Sequence, residues 1–494
     1  MIIILISALM AGGLLAWFLG KNNPHSSRII SLITLLLCSV VLIYYFIANY
    51  RSILGATGWL EEIRYPWIPQ FGISFHMALD GLSLLMIALT LFLGILGVLS
   101  SWEEITERKG FYYFNLLWIL AGIVGVFTAL DLVLFFFFWE IMLIPMFFLI
   151  GIWGHENRRY AAYKFFLFTQ ASGLLMLLSI LGMGLLFYHK TGIFSYDYVD
   201  LITVQPGGSL GMWLMFGFLI AFIVKLPVVP FHNWLPDAHT QAPTAGSLIL
   251  AGLLLKTGAY GIIRFVIPFF PQMAHQFAPY AMILGAIGIL YGAILAFSQT
   301  DLKRLVAYTS VSHMGFVMLG VFAFNELAYQ GVVMQMVTHG ISTGALFLLV
   351  GMMYERTHTR DLTTMGGLWQ TVPKMGGVGL LFAMASLGLP GLGNFIAEFL
   401  VLSGSFQANK IITAFATIGL VLGTIYSLRI FQRIFQGPKQ KDWKFSDLNL
   451  REIIIMGSLI TVIVWLGWYP QPVINVVKPV IQEVLNQMAT QINF

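Results

Sequence analysis

Runs of about 20 apolar residues, the length that crosses a bilayer as a helix, follow one another along the whole chain, separated by charged or Pro/Gly-rich stretches. The breaks place spans near 2–19, 29–50, 79–101, 111–130, 131–153, 160–188, 211–231, 243–266, 278–298, 303–324, 327–354, 375–405, 411–435 and 452–470. This pattern predicts an all-α polytopic membrane protein of about 14 transmembrane helices. Two spans are interrupted. The seventh carries Pro227 and Pro230, which remove backbone donors, and the twelfth carries Leu389-Pro390-Gly391-Leu392-Gly393. Because the broken spans lie five apart, helices 4–8 and 9–13 read as equivalent five-helix units that enter the membrane from opposite sides. That is an inverted repeat, in which broken helices 7 and 12 mark the transport path. Residues 1–494 are then a single membrane domain. Helices 1–3 occupy 1–110, the repeats 111–266 and 267–437, and helix 14 with a short C-terminal tail 438–494.

Composition agrees with that pattern. Hydrophobic residues make up 59% of the chain and charged ones 10%, against roughly half and a quarter in soluble domains. Mean hydropathy is +0.86. The net charge of +5 is read as loop bias in a membrane protein rather than as a nucleic-acid footprint. Cys38 is the only cysteine and sits in an apolar run, so redox cofactors are expected in other chains. Met1–Gly20 has no positive residue before Lys21 and reads as a retained first helix, not a cleaved signal.

Orientation follows from where Lys and Arg collect, because they are retained on the cytoplasmic side. Alternate loops hold 17 of them, Lys303 included, whereas the opposite loops hold 6, Arg264 included. Lys225, Lys256 and Arg429 remain inside spans. Both termini are therefore expected on the non-cytoplasmic side, with the loops at 154–160 and 436–451 inside. The polar segment 190–210 is expected as a short outer hairpin. The tail from Lys478, with Ile481, Leu485 and Met488 on one face, is expected as an interfacial cap.

An ionisable side chain at the bilayer centre costs at least about 2.5 kcal/mol, so each one needs a partner or a task. Glu140 lies nine residues past Asp131, about 14 Å into the membrane at 1.5 Å per residue. Lys225 precedes Pro227 where the helix unwinds, and Lys256 lies midway along its span; leaving water disfavours the ammonium form and brings both within reach of proton exchange. His313 is again about 14 Å deep, counted from Arg304, and His339 shares a helix face with Gln335 and Thr343. Glu398 follows the break of span twelve and, counted along a continuous helix, lies about 35 Å from Met375, toward the outer side, with the unwound segment shortening that distance. The two five-helix units would pair Glu140 with His313, Lys225 with Glu398 and Lys256 with Arg429. Plainer roles stay open: a structural salt bridge for Glu140, carbonyl anchoring for the lysines, satisfied core histidines, and an interfacial carboxylate at 398. Taken together the set suits proton hopping. No second His or carboxylate stands at metal-ligand spacing on either histidine helix, and no phosphate-binding Gly-Lys-Ser loop occurs.

The stretch Lys225-Leu226-Pro227-Val228-Val229-Pro230-Phe231-His232-Asn233-Trp234-Leu235-Pro236-Asp237-Ala238-His239-Thr240-Gln241-Ala242-Pro243-Thr244 resembles the signature of the antiporter-like membrane subunits of respiratory complex I, shared with multisubunit sodium/proton antiporters. Asp131 through Trp139-Glu140 is similar to the same family's fifth-helix motif, and the resemblance covers helices 3 to 13. It implies that Glu140 and Lys225 form an ion pair whose opening and closing tunes the lysine. Lys256, His313 and His339 would then form a central hydrophilic axis and Glu398 the terminal proton site, with His232 and His239 as secondary residues. A glutamate at 398, where most members carry lysine, resembles the M-type (chain 4) branch. Phe494 follows helix 14 too soon for the long lateral helix of the L-type.

The resemblance also implies that flavin, iron–sulfur clusters and quinone reside in partner subunits, with no cofactor in this chain. The partners would be the other membrane and peripheral subunits, further antiporter-like subunits among them, together with protons and the lipid bilayer of the inner (plasma) membrane. A D-type subunit of a sodium/proton antiporter and an inert scaffold are the alternatives.

Overall fold

The computed structural model describes residues 1–21, 23–55 and 58–492. Within these, twelve helices are long and apolar enough to cross a membrane, because in lipid a helix satisfies every backbone polar group internally. The tenth and twelfth expected spans are the helix Leu302–Val321 and the pair Pro373–Ser386 and Gly393–Ala408, which residues 387–392 separate. Short polar side chains start several helices: Asp131 accepts from the Val133 and Leu134 amides, Asp301 from Arg304, Asn325 from Ala328. Asn449 and Glu452 close a reciprocal capping box.

Helix Thr244–Phe269 and helix Glu326–Thr357 form the centre of the bundle, and the spanning window of each is wholly buried. The first contains two π-helical stretches, Leu250–Leu254 and Ile262–Val266, on either side of Lys256. Gly252 and Gly340 let the two backbones meet: a Cβ on Gly340 would stand 3.0 Å from the Gly252 carbonyl oxygen.

Several expectations from the sequence need correction. A hairpin does exist, but at Glu61–Ile68 and Ile73–Leu79, where no element was foreseen; residues 190–210 hold the end of helix Arg158–Thr191, the short helix Tyr198–Leu201 and the start of helix Gly208–Lys225. The tail is a helix over Gln471–Ile492 that packs on helices Gly81–Glu104 and Glu326–Thr357. It crosses so closely that a Cβ on Gly81, the first residue of its helix, would lie 1.9 Å from the Val476 carbonyl oxygen, and Lys478 reaches Glu326 at the start of the other helix, at 3.7 Å. Arg264 and Lys303, read as loop charges, are buried; Arg264 pairs with Asp80 and Lys303 donates to the Ala242 carbonyl. Arg429, set opposite Lys256, is half-buried where Lys256 is fully buried, and donates to the Phe297 carbonyl at 2.6 Å, near the end of helix Pro271–Ser298. Phe494 lies outside the described residues.

The hairpin is tied to the start of helix Leu132–Trp153. The Ser74 amide donates to Asp131 Oδ2 at 2.8 Å, and His76 reaches Asp197 Oδ2 at 2.6 Å and Glu62 Oε1 at 2.9 Å through its two ring nitrogens. Arg64 adds a second cation, 3.1 Å from Asp197 and 3.7 Å from Asp200. Burial alone would lower the affinity of His76 for its proton, but the Asp197 and Glu62 carboxylates outweigh it and hold the imidazole above its ordinary value of 6.5. A raised folded value means that the clamp is complete below the unfolded pKa and is lost as pH climbs through the folded one. Hydrogen exchange over 61–79, corrected for intrinsic rate, should therefore be faster at alkaline than at mildly acidic pH, and His76→Phe should erase the difference. Equal protection of the wild type at both pH values would show that His76 only fills space.

Candidate functional site

Glu140 and Lys225 occupy neighbouring positions on helices Leu132–Trp153 and Gly208–Lys225. Lys225 is the last residue of its helix, fully buried where Pro227 and Pro230 end the ladder. The break is held together by Trp234, whose Nε1 donates to the Val224 carbonyl at 2.9 Å, before the chain re-enters as helix Trp234–Gln241. The charges of Glu140 and Lys225 act on each other, yet Lys225 Nζ and Glu140 Oε1 have no hydrogen-bond partner among the described residues. Nζ lies 4.9 Å from the centroid of the Trp139 ring and 5.7 Å from that of Phe165, so cation–π attraction holds the lysine while the ion pair is open.

The rest of the axis is connected by short contacts. Lys256 Nζ donates to the Ala251 carbonyl at 2.6 Å, in the preceding π-helical turn, and stands 2.6 Å from His339 Nδ1. The His339 and His313 rings cross edge to face, 5.4 Å between centroids. His313 Nε2 lies 3.1 Å from the Ser386 carbonyl, 3.3 Å from the Tyr426 hydroxyl and 3.7 Å from Glu398 Oε1. Ser386 ends helix Pro373–Ser386, so the break of span twelve supplies the acceptor that orients His313. Gly388 turns the chain there with φ +76°, which favours glycine, and a Cβ on it would stand 2.6 Å from Glu398 Oε2 and displace that carboxylate. Glu398 is thus at the depth of His313 and 4% exposed, not toward the outer side, because the unwound segment shortens the path from Met375.

Six predicted residues therefore fall into two groups, Glu140 with Lys225 and Lys256 through Glu398. His239 belongs beside the second group: its stacked contact with Phe347, 4.4 Å between centroids, sets it within the field of Lys256. His232 does not join; its ring faces Tyr291 and Tyr308. Tyr426 and Ser386 were missed because neutral polar residues leave no mark in a count of charges. No group of three His, Cys, Asp or Glu side chains among the described residues converges as a metal site.

The family model of NADH:quinone oxidoreductase/Mrp antiporter membrane subunits matches residues 129–423. NADH-quinone oxidoreductase subunit M of Pseudomonas aeruginosa is 51% identical over 475 residues, covering 94% of this chain and 93% of that protein. The subunit M of Escherichia coli is 50% identical with the same coverage. Among solved structures, respiratory complex I from Thermus thermophilus with bound NADH contains a chain that superposes with a TM-score of 0.89 at 28% identity, covering 99% of this chain and 100% of that one. A chain of the membrane-bound sulfane sulfur reductase, an archaeal respiratory membrane complex, superposes with a TM-score of 0.84 at 26% identity, covering 96% and 77%. Fold, buried ionisable line and relatives agree: this chain belongs to the NADH:quinone oxidoreductase/Mrp antiporter family of membrane subunits, within its subunit M branch.

Proposed function

We propose that this chain is a proton-translocating membrane subunit of an NADH:quinone oxidoreductase, driven by redox chemistry in other subunits. The observation that carries it is the buried line Lys256–His339–His313–Glu398, in which three bases lead to an acid, with 2.6 Å between Lys256 and His339 and 3.7 Å between His313 and Glu398. Protons pass along such a line by exchange between side chains in direct contact or bridged by one water. Glu140 and Lys225 act at its head as a charge pair that opens and closes, so that a change at one end alters proton affinity at the other. Helices 4–8 and 9–13 are the two inverted units, and broken helices 7 and 12 place one ionisable residue each at an interruption. Flavin, iron–sulfur clusters and quinone belong to partner subunits. The chain lies in the bacterial inner membrane with both termini outside the cytoplasm, as the basic loops imply.

Purification of the tagged chain from native membranes is expected to recover NADH-oxidising flavin and iron–sulfur subunits with it, and a cysteine at Gln440 should react with an impermeant reagent only in inverted vesicles. Sodium extrusion by a preparation free of those subunits would favour the antiporter alternative, and labelling in intact cells would reverse the topology.

A further inference from the structure

Helices Gly81–Glu104, Leu132–Trp153 and Glu326–Thr357 end around a cavity of about 490 Å³, beside the start of helix Thr244–Phe269. Glu104, His155, Thr244, Tyr354 and Glu355 form part of its wall, on the face whose loops carry Arg108, Arg158 and Arg360. Neither the Glu140–Lys225 pair nor the four residues of the central line belong to that wall. Glu104 stands in it with only one oxygen engaged. Its Oε1 accepts from the Thr244 amide and hydroxyl, both at 2.9 Å, and so caps the helix that carries Lys256. Its Oε2 is buried with no partner among the described residues.

Behind Thr244, Lys303 is 2% exposed and donates to the Ala242 carbonyl, close enough to Glu104 for their charges to interact. His239 lies within the fields of both Lys303 and Lys256, and both of its ring nitrogens are buried without a partner among the described residues. A carboxylate that served only as a helix cap, or a lysine that served only as an anchor, would not account for three neighbouring polar atoms left unsatisfied, since buried polar atoms are ordinarily hydrogen-bonded. His155, at the mouth, is pushed down to about 3 by burial and by the Lys303 and Arg360 charges, so it stays neutral and does not repel an incoming proton.

We infer that this cavity is the proton intake of the chain, with Glu104 and Lys303 carrying protons through His239 to Lys256. The inference rests on the translocating reading above. His239 gives its proton to the neutral amine of Lys256 and takes another from the Lys303 ammonium. The amine left at Lys303 takes the proton of the Glu104 carboxyl, and the Glu104 carboxylate regains one from a hydronium ion that enters the cavity and leaves as water. Each step moves one proton and no electron.

Glu104→Gln separates the two roles of that residue, because the amide oxygen still caps Thr244 while the exchangeable proton is gone. In the purified complex, which turns over only while protons move, we expect its NADH:quinone reductase rate to fall about tenfold, more steeply toward alkaline pH. Millimolar imidazole, small enough to enter the cavity, should largely restore it. Lys303→Arg keeps the charge but holds its proton, and is expected to fall likewise. A wild-type rate in either variant, or a Glu104→Gln loss that imidazole leaves unchanged, overturns the inference. Lys225→Ala in parallel distinguishes the failures. If it alone stops turnover the intake lies elsewhere, and if it too is without effect the translocating reading falls as well.

Discussion

Lys225→Ala and Glu140→Ala should each abolish most NADH-driven proton translocation, by roughly tenfold or more, while the complex still assembles. The two side chains interact as charges without touching, and Lys225 Nζ rests over the Trp139 ring. Removing the lysine therefore deletes a movable charge and not a closed salt bridge, so the penalty falls on function more than on folding. Removing Glu140 leaves a buried ammonium with aromatic faces alone, which changes its proton affinity and freezes the pair in one state. Glu140→Asp keeps the charge one methylene shorter and should be milder. The measurement is the proton gradient in vesicles carrying the assembled complex, with complex content checked by NADH oxidation through an artificial acceptor. Normal pumping by both alanine variants would remove the ion pair from the mechanism.

The second large effect is expected at Glu398. Its carboxylate meets His313 at 3.7 Å and borders a recess of about 300 Å³ between helices Gly393–Ala408 and Lys410–Phe435, walled by Phe395, Leu402 and Leu420. Glutamine preserves the volume and loses the proton, so Glu398→Gln should lower NADH-driven translocation sharply, again on the scale of tenfold. Aspartate retains an acid but withdraws it from His313, and a good part of the activity should survive. Glu398→Lys, which puts a second base beside His313, should give an intermediate result. Full coupled activity in the glutamine variant, read as reductase rate together with the gradient, would leave Glu398 a buried carboxylate outside the path.

Much of this site was legible because the membrane makes polarity conspicuous. In a chain that is 59% hydrophobic, a lysine or glutamate inside a 20-residue apolar run stands out, and depth follows from a fixed rise per residue. Glu140, Lys225, Lys256, His313 and His339 were all found that way. The method failed where distance along the chain is not distance in space. Glu398 counts out near the far surface only if helix twelve is continuous, and residues 387–392 fold back on the path so that the carboxylate returns to the level of His313. Lys303 and Arg264 were assigned to loops because each stands at a span end. There the local pattern cannot say whether a charge faces water or a carbonyl on another helix.

The sequence by itself determined the class of the protein, the approximate spans, the two interruptions and most of the buried ionisable residues, since each depends on a local ratio of apolar to polar positions or on a proline's missing donor. Only the tertiary structure decided which of those residues meet. That Lys256 touches His339 across 83 positions, and that Ser386 supplies the acceptor for His313 across 73, depends on how helices pack where glycines such as Gly252 and Gly340 let backbones approach. The hairpin at 61–79 and the clamp of His76 between Asp197 and Glu62 were likewise invisible, because cross-strand and cross-loop pairing joins segments whose separation along the chain carries no periodic trace.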